Sequence, residues 1–133
     1  VPTQFDLFTF LVGNSFDGGA ALMEQTSPQH QAYEWLLGNA FLSEYSRDRM
    51  LQRYALATFY FSTHGDSWFS NTSWLTDADE CRWYSRSTIQ PCDREGRLQG
   101  LELDYNNLNG ALPPELGLLS SGLERLVLGG GPV

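Results

Sequence analysis

The sequence contains no lysine, and its eight basic residues, all arginines, are outnumbered by sixteen acidic residues. A net charge of −8 without a basic cluster repels phosphate backbones and anionic lipid surfaces, so we expect no nucleic-acid partner and no direct membrane binding. Apolar runs are also short, since none approaches the roughly 18 residues that a bilayer-spanning helix requires. We therefore expect membrane association only through a partner or through a segment missing from this sequence.

Cysteine is nearly absent as well, because only Cys81 and Cys92 occur. Both lie in one short polar segment close to the glycosylation sequon Asn71-Thr72-Ser73. A close pair beside a sequon predicts a disulfide in an oxidising compartment, with Asn71 as a candidate glycosylation site. Two free thiols are the alternative. The compartment would be the extracellular space, the cell surface or an organelle lumen.

The residues that are present suffice for a hydrophobic core. Hydrophobic residues make up 41% of the 133 residues and aromatic residues 14%, which predicts one globular domain with or without a short extension. Three regions are distinguishable by composition and pattern. They are an apolar N-terminal arm over residues 1–25, a helical and loop-rich cap over 26–97, and leucine repeats over 98–133.

The N-terminal arm contains a very apolar stretch over residues 3–12. Thr3 and Asp6 have the spacing of a capping box, so a short helix is expected to begin there. The arm either folds onto the core of its own domain, or docks on a partner or on a membrane face. If it docks on a partner, the candidate contacts are Phe5, Phe8 and Leu11.

Two helices are predicted in the cap. The first begins after Thr26 or Ser27, because either residue can cap a helix and the following proline fits the first turn, and it ends at Gly38 in a left-handed cap. The second runs from Arg47 to Ser62 with a broad apolar stripe. Its solvated face is expected to carry Arg47, Asp48, Arg49 and Gln52. Between residues 65 and 97 the periodicity disappears, and aromatic side chains are expected to fill the core of an irregular segment.

After residue 97 leucine recurs with a regular spacing. A three-leucine strand signature repeats at an offset of 25 residues, first as Leu98, Leu101 and Leu103 and then as Leu123, Leu126 and Leu128. Leucines separated by one residue lie on the same side of a strand and are expected to point inward. Asn106 is expected to satisfy backbone groups with both ends of its amide, and Gly110 to permit a close approach.

The residues between these leucines are expected to face outward and to form a concave binding surface. They are Glu102, Asp104, Tyr105, Arg125 and Val127. Because about three repeats are needed for independent stability, one full repeat and the opening of another leave an uncovered edge. Leu126 and Leu128 are therefore expected to contact another polypeptide.

The segment from Leu101 to Leu119, LELDYNNLNGALPPELGLL, resembles the plant-type leucine-rich repeat LxLxxNxLxGxLPxxLGxL. Ahead of it, Cys81-Arg-Trp83 and Cys92 resemble the cysteine-bracketed N-terminal cap of such arrays, with a longer loop between the cysteines. The upstream segments resemble leucine-rich-repeat proteins of diatoms and related algae. The resemblance implies an α/β fold in which a helical cap, stapled by the Cys81–Cys92 disulfide, leads into the start of a leucine-rich-repeat β/α solenoid. It implies a scaffold and names no partner.

Few residues suit catalysis or metal binding. His64 lies beside Asp66 and Ser67 in sequence, but adjacency is not the geometry of a catalytic triad, so a hydrolase ranks last among the functions considered. His30 is the only other histidine. An acidic stretch lacks the six to eight oxygen ligands and the glycine turn of a calcium loop and is expected to be solvated; its residues are Asp77, Asp79 and Glu80. No cofactor and no metal site are predicted.

These observations favour a non-catalytic module that binds a protein on the extracellular or lumenal side of a membrane. The alternative is an accessory subunit embedded in a larger membrane assembly, such as an algal photosystem supercomplex in which the chain would occupy the thylakoid lumen. Both functions require a protein partner. We expect that partner to cover the open repeat edge and the N-terminal arm.

Overall fold

A computed structural model describes residues 5–83 and 91–128 of the chain. Its longest element is helix α4, Arg47–Ser62, which has the predicted bounds. The Ser46 hydroxyl caps it by accepting a hydrogen bond from the backbone N–H of Arg49 at 3.1 Å. Buried residues cover nearly its whole circumference between Met50 and Phe59, as expected for a helix at the centre of a domain.

Three shorter helices precede α4, namely α1 (Leu7–Gly13), α2 (Ala20–Met23) and α3 (Pro28–Leu37). Asp6 caps α1 by accepting a hydrogen bond from the Thr9 N–H, so the capping residue differs from the predicted Thr3, which lies outside the described residues. Of the two residues predicted as caps of α3, Thr26 and Ser27, it is Ser27 that caps the helix. The left-handed end predicted for α3 is wrong, because Gly38 has φ −84° and ψ 0°. None of the described helices is long and apolar enough to cross a bilayer.

The segment between α4 and the leucine-rich region contains no long helix or strand within residues 63–83. It forms short 3-10 turns at Gly65–Ser67 and Glu80–Arg82. Trp68, Trp74 and Trp83 from this segment are buried, with Trp68 and Trp74 packed edge to face at a ring distance of 4.8 Å. The prediction that aromatic side chains fill the core here is therefore confirmed for the three tryptophans, whereas it is wrong for Phe69, which is 69% exposed; Tyr84, also expected in the core, lies outside the described residues.

Two strands, β1 (Gly100–Glu102) and β2 (Arg125–Val127), pair in parallel. Their register places Leu101 opposite Leu126, which is the offset of 25 residues read from the sequence. A 3-10 helix over Pro114–Leu119 lies in the crossover between the strands and packs against α4. The structure thus combines helices, one two-stranded parallel sheet and one disulfide.

The buried side chains form two clusters, and α4 contributes to both. One cluster joins α1, α2 and α3 to one side of α4 through Tyr54 and Ala57. The other joins the tryptophans and the leucines of β1 to a second side through Leu56 and Phe59. Leu101 is completely buried there, which for a leucine contributes about 1.5–3 kcal/mol. Helix α4 is therefore the shared wall between the helical region and the sheet.

Candidate protein-binding surface

The outward side of the two strands carries a charged pair. Glu102 on β1 and Arg125 on β2 form an ion pair with 2.8 Å between Oε1 and Nε. The Glu102 side chain is mostly covered, whereas that of Arg125 is 57% exposed, so solvent screens the attraction. Val127 is half-buried beside them. The structure therefore brings three of the five predicted surface residues together across the strands.

The other two predicted surface residues, Asp104 and Tyr105, follow β1 directly. Asp104 is half-buried, and Tyr105 is 60% exposed. The backbone of Tyr105 has φ +60°, a left-handed conformation that is uncommon for a bulky residue. Such backbone strain persists only where the surroundings enforce it.

Asn106, the next residue, is hydrogen-bonded to the backbone of the neighbouring loop, and this holds the chain at Tyr105 in its conformation. Its Oδ1 accepts a hydrogen bond from the Ser70 N–H at 2.7 Å, and its Nδ2 donates to the Ser70 carbonyl at 3.1 Å. Both ends of the amide therefore bond backbone groups, as predicted. The backbone N–H of Phe69 also donates to the Asn106 carbonyl at 3.3 Å. The Phe69 side chain, which was expected in the core, is 69% exposed. A second exposed aromatic residue therefore lies next to Ser70, which is bonded to Asn106.

The outer edge of β2 exposes apolar side chains. Leu126 is 41% exposed, while Leu128 is half-buried and packs against the core. Leu112, which the repeat pattern places inside, is 54% exposed. Because no third strand lies beside β2 within the described residues, Leu126 has no strand to cover it there.

Of the three N-terminal residues predicted to contact a partner, two are at least partly exposed and one is buried. Phe5 is partly exposed, with Arg47 over its ring at 5.2 Å. Phe8 packs edge to face on Tyr33 at 5.4 Å. Leu11 is completely buried in the helical cluster, so it is not a surface contact. The described part of the arm, from residue 5 onward, lies on the domain's own core.

A buried ion pair that the sequence did not reveal joins α4 to the 3-10 turn at Glu80–Arg82. Arg53 and Glu80 are both inaccessible to solvent, with 2.7 Å between Nη1 and Oε2. Glu80 also accepts hydrogen bonds from Arg49 and from the side-chain amide of Gln52. The hydrogen bond to Glu80 raises the pKa of Arg49. The expectations of a solvated Gln52 and a solvated Glu80 are thus wrong, because these side chains satisfy one another inside the domain.

Aromatic rings and carbonyls complete the surroundings of Arg53. Its guanidinium lies 5.0 Å from the ring of Trp35, 4.8 Å from Tyr45 and 5.3 Å from Trp83. It also donates to the carbonyls of Thr76 and Ala78. A buried arginine is tolerated when its charge is paired and its donors are satisfied in this way.

The disulfide and the first strand are tied to the same network. Cys81 follows Glu80 in sequence and is bonded to Cys92, so the predicted disulfide is confirmed. The Gln52 amide donates to the Gly96 carbonyl and accepts from the Leu98 N–H at 2.7 Å. Gln52 therefore fixes the chain just before β1 to the middle of α4.

The residues considered for chemistry do not come together as a catalytic or metal site. The Nδ1 of His64 hydrogen-bonds the Asn109 carbonyl at 2.6 Å, not Asp66 or Ser67. His30 contacts the Leu22 carbonyl at 2.9 Å and Glu34 at 2.8 Å. These two contacts raise its pKa, the carbonyl more than the carboxylate. Among the described residues no group of three or more potential ligands could hold a metal ion.

The candidate glycosylation site has a structural partner. The side-chain amide of Asn71 donates to the Gly65 carbonyl at 2.8 Å, and the Asn71 carbonyl accepts from the Trp74 N–H at 3.0 Å. Asn71 is half-buried at the start of a turn. It thereby holds the short 3-10 turn that follows α4.

Comparison with protein-family models, with curated proteins and with solved structures finds no match. The surface must therefore be interpreted from its own geometry and chemistry.

Proposed function

We propose that the chain is the capped start of a leucine-rich-repeat array and a non-catalytic module that binds a protein on the outward side of β1 and β2. The observation that carries the proposal is the parallel pairing of two strands at the repeat offset. Each strand directs its repeat leucines and its intervening residues to different sides. A surface built in this way can grow by one strand with each further repeat.

The composition of the surface supports binding. Tyr105 is a large exposed aromatic residue next to the anchored Asn106, and Arg125 is a largely exposed cation on β2. Tyrosine and arginine are enriched among the residues that contribute most to protein–protein affinity. The disulfide is compatible with an extracellular or lumenal compartment.

The test uses the purified chain, with its disulfide intact, as bait for proteins of its source. Candidate partners are those retained by the wild-type chain and lost with Tyr105→Ala, and each is then titrated in purified form by calorimetry. We expect Tyr105→Ala and Arg125→Ala each to weaken binding by tenfold or more, since residues of this kind contribute about 2 kcal/mol or more.

Phe41→Ala is the matched control, because Phe41 is also an exposed aromatic residue, 47% accessible, but precedes α4 instead of following β1. It should leave the affinity within a factor of two. If a partner binds the Tyr105 and Phe41 variants equally well, or if no protein distinguishes wild type from Tyr105→Ala, the assigned surface is wrong.

A second candidate, an accessory subunit held inside a larger assembly, is favoured by the apolar edge of β2. The exposed Leu126 lies on this edge, and a permanent partner would cover it. Sedimentation of the recombinant chain tests this function separately. A permanent subunit should associate or precipitate alone, whereas a soluble monomer with one cooperative unfolding transition contradicts the second candidate and leaves the first intact.

A further inference from the structure

A pocket of about 460 Å³ opens where α4 ends. Its size lies within the range of small-molecule sites, and it is separate from the outward side of the strands. The lining residues come from α3, from the end of α4 and from the loop after it: Gln31, Tyr60, Phe61, His64, Gly65, Asp66 and Leu75.

The aromatic wall of the pocket is rigid. Tyr60 meets Phe61 at a right angle with 5.5 Å between ring centres. Trp68 supports Tyr60 edge to face at 5.3 Å. Gly65 lies so close to the Tyr60 ring that a Cβ at this position would collide with it. The glycine is therefore required for Tyr60 to occupy its place in the wall.

The polar groups of the pocket are mainly hydrogen-bond acceptors. Because a carbonyl can only accept, the 2.6 Å contact between His64 and Asn109 requires a proton on Nδ1, so the neutral ring offers Nε2 as an acceptor. His64 has φ 55° and ψ 57°, so this ring is presented from a left-handed backbone. Asp66 contributes an exposed carboxylate. Burial and the charge of Asp66, in that order, raise the pKa of Tyr60.

The surroundings of Arg53 show which chemical group a similar set of side chains binds in this protein. Around Arg53, aromatic rings, a carboxylate and backbone carbonyls together hold a guanidinium. The pocket repeats this chemistry with two aromatic residues, a carboxylate and an imidazole acceptor, and no arginine lines it. By contrast, Arg49 and Arg97 in the pocket at the other end of α4 are already paired with carboxylates.

We propose that this pocket binds a guanidinium group, with Asp66 as the charge partner and Tyr60 and Phe61 as the apolar wall. A guanidinium fits because its planar fork donates to a carboxylate while its weakly hydrated faces pack against aromatic rings. The group can come from a free guanidinium compound or from an arginine side chain of a peptide. The proposal is independent of the proposed function, since the pocket and the strand surface share no residue.

The test is a titration of the full oxidised chain followed by backbone amide NMR. The probes are agmatine, the peptides Gly-Arg-Gly and Gly-citrulline-Gly, butylamine, and methyl glucoside. We expect agmatine or the arginine peptide to shift the resonances of residues 60–66 with a millimolar Kd, and citrulline and the glucoside to have no effect. The better of the two guanidinium probes identifies the source, as a free compound or a peptide side chain.

Asp66→Asn should weaken guanidinium binding at least tenfold. Asp77→Asn removes the same charge from another exposed position and should leave binding unchanged. Unaltered tryptophan emission in both variants shows that the fold is retained. Equal binding of butylamine or the glucoside, equal effects of the two substitutions, or the absence of any shift in residues 60–66 would overturn the proposal.

Discussion

Replacing Glu80 by glutamine should remove a large part of the domain's stability, because it leaves the inaccessible Arg53 without a counter-charge. Wild-type Glu80 accepts hydrogen bonds from Arg49, Gln52 and Arg53. A glutamine has the same shape but presents an amide donor to these donors, so at least one contact becomes repulsive.

The magnitude follows from burial. Both partners of the Arg53–Glu80 pair have 0% exposed side chains, and breaking a buried pair by removing one partner costs about 3–5 kcal/mol. Domains have an unfolding free energy of about 5–15 kcal/mol, so Glu80→Gln should remove about a fifth of it or more. With a urea m value of about 2 kcal/mol/M, the midpoint falls by about 2 M.

The assay is urea unfolding of the oxidised protein at neutral pH, followed by tryptophan emission. Trp35 and Trp83 pack against Arg53, so they report on this region. Asp79→Asn is the control, since Asp79 is 49% exposed and 3.6 Å from Arg49; an exposed pair of this kind contributes at most about 1 kcal/mol.

A double variant distinguishes a lost pair from a general packing defect. Replacing Arg53 with Met and Glu80 with Leu removes both charges together, so it should destabilise by much less than the sum of the single changes. If Glu80→Gln lies within 1 kcal/mol of wild type, or if the double variant is additive, the network does not have the stabilising role argued from its burial.

Three further predictions concern other parts of the molecule. Gly110→Ala should destabilise by about 2 kcal/mol or more in urea unfolding, because Gly110 has φ +134° and a Cβ there would collide with the Ser62 carbonyl; an unchanged midpoint would contradict this. Replacing Cys81 and Cys92 together with serine should cost about 3 kcal/mol, measured as the midpoint difference from the oxidised wild type, and a negligible difference would indicate that the loop is held without the bond. The pKa of His30 is raised in the folded protein. The contribution of His30 to stability is therefore complete below pH 6.5 and is lost as the pH rises through the higher folded pKa. A urea midpoint that depends less on pH in the wild type than in His30→Gln would contradict the assignment.

Much of the helical region could be predicted from local patterns. Helix α4 has its predicted bounds because the apolar spacing and the Ser46 cap agree, and Ser27 begins α3 for the reason given. The end of α3 could not be predicted from glycine alone. Gly38 permits a left-handed cap without requiring one, and here its N–H satisfies carbonyls of the last turn from a right-handed conformation.

The buried charges could not be located from periodicity, because a charged residue ordinarily indicates the solvated face. The available signal was Arg53 itself, which lies at helical spacing from the apolar residues Met50 and Ala57 of α4. Its partner Glu80 is 27 residues away, in a segment without periodicity, so only the tertiary fold could pair them. The Tyr60 pocket was missed for the same reason, since its groups come from separate elements.

Helix α4 contributes to both buried clusters, and this determines the order in which parts of the molecule unfold. In most repeat arrays each unit melts almost independently of distant ones. Here Leu101 in β1 lies in the cluster that contains Phe59 of α4, while β2 touches solvent along its length. Local unfolding that begins at β2 on heating should therefore not extend into β1. Beyond that boundary, β1 and the helices should exchange their amide hydrogens at a single slow rate.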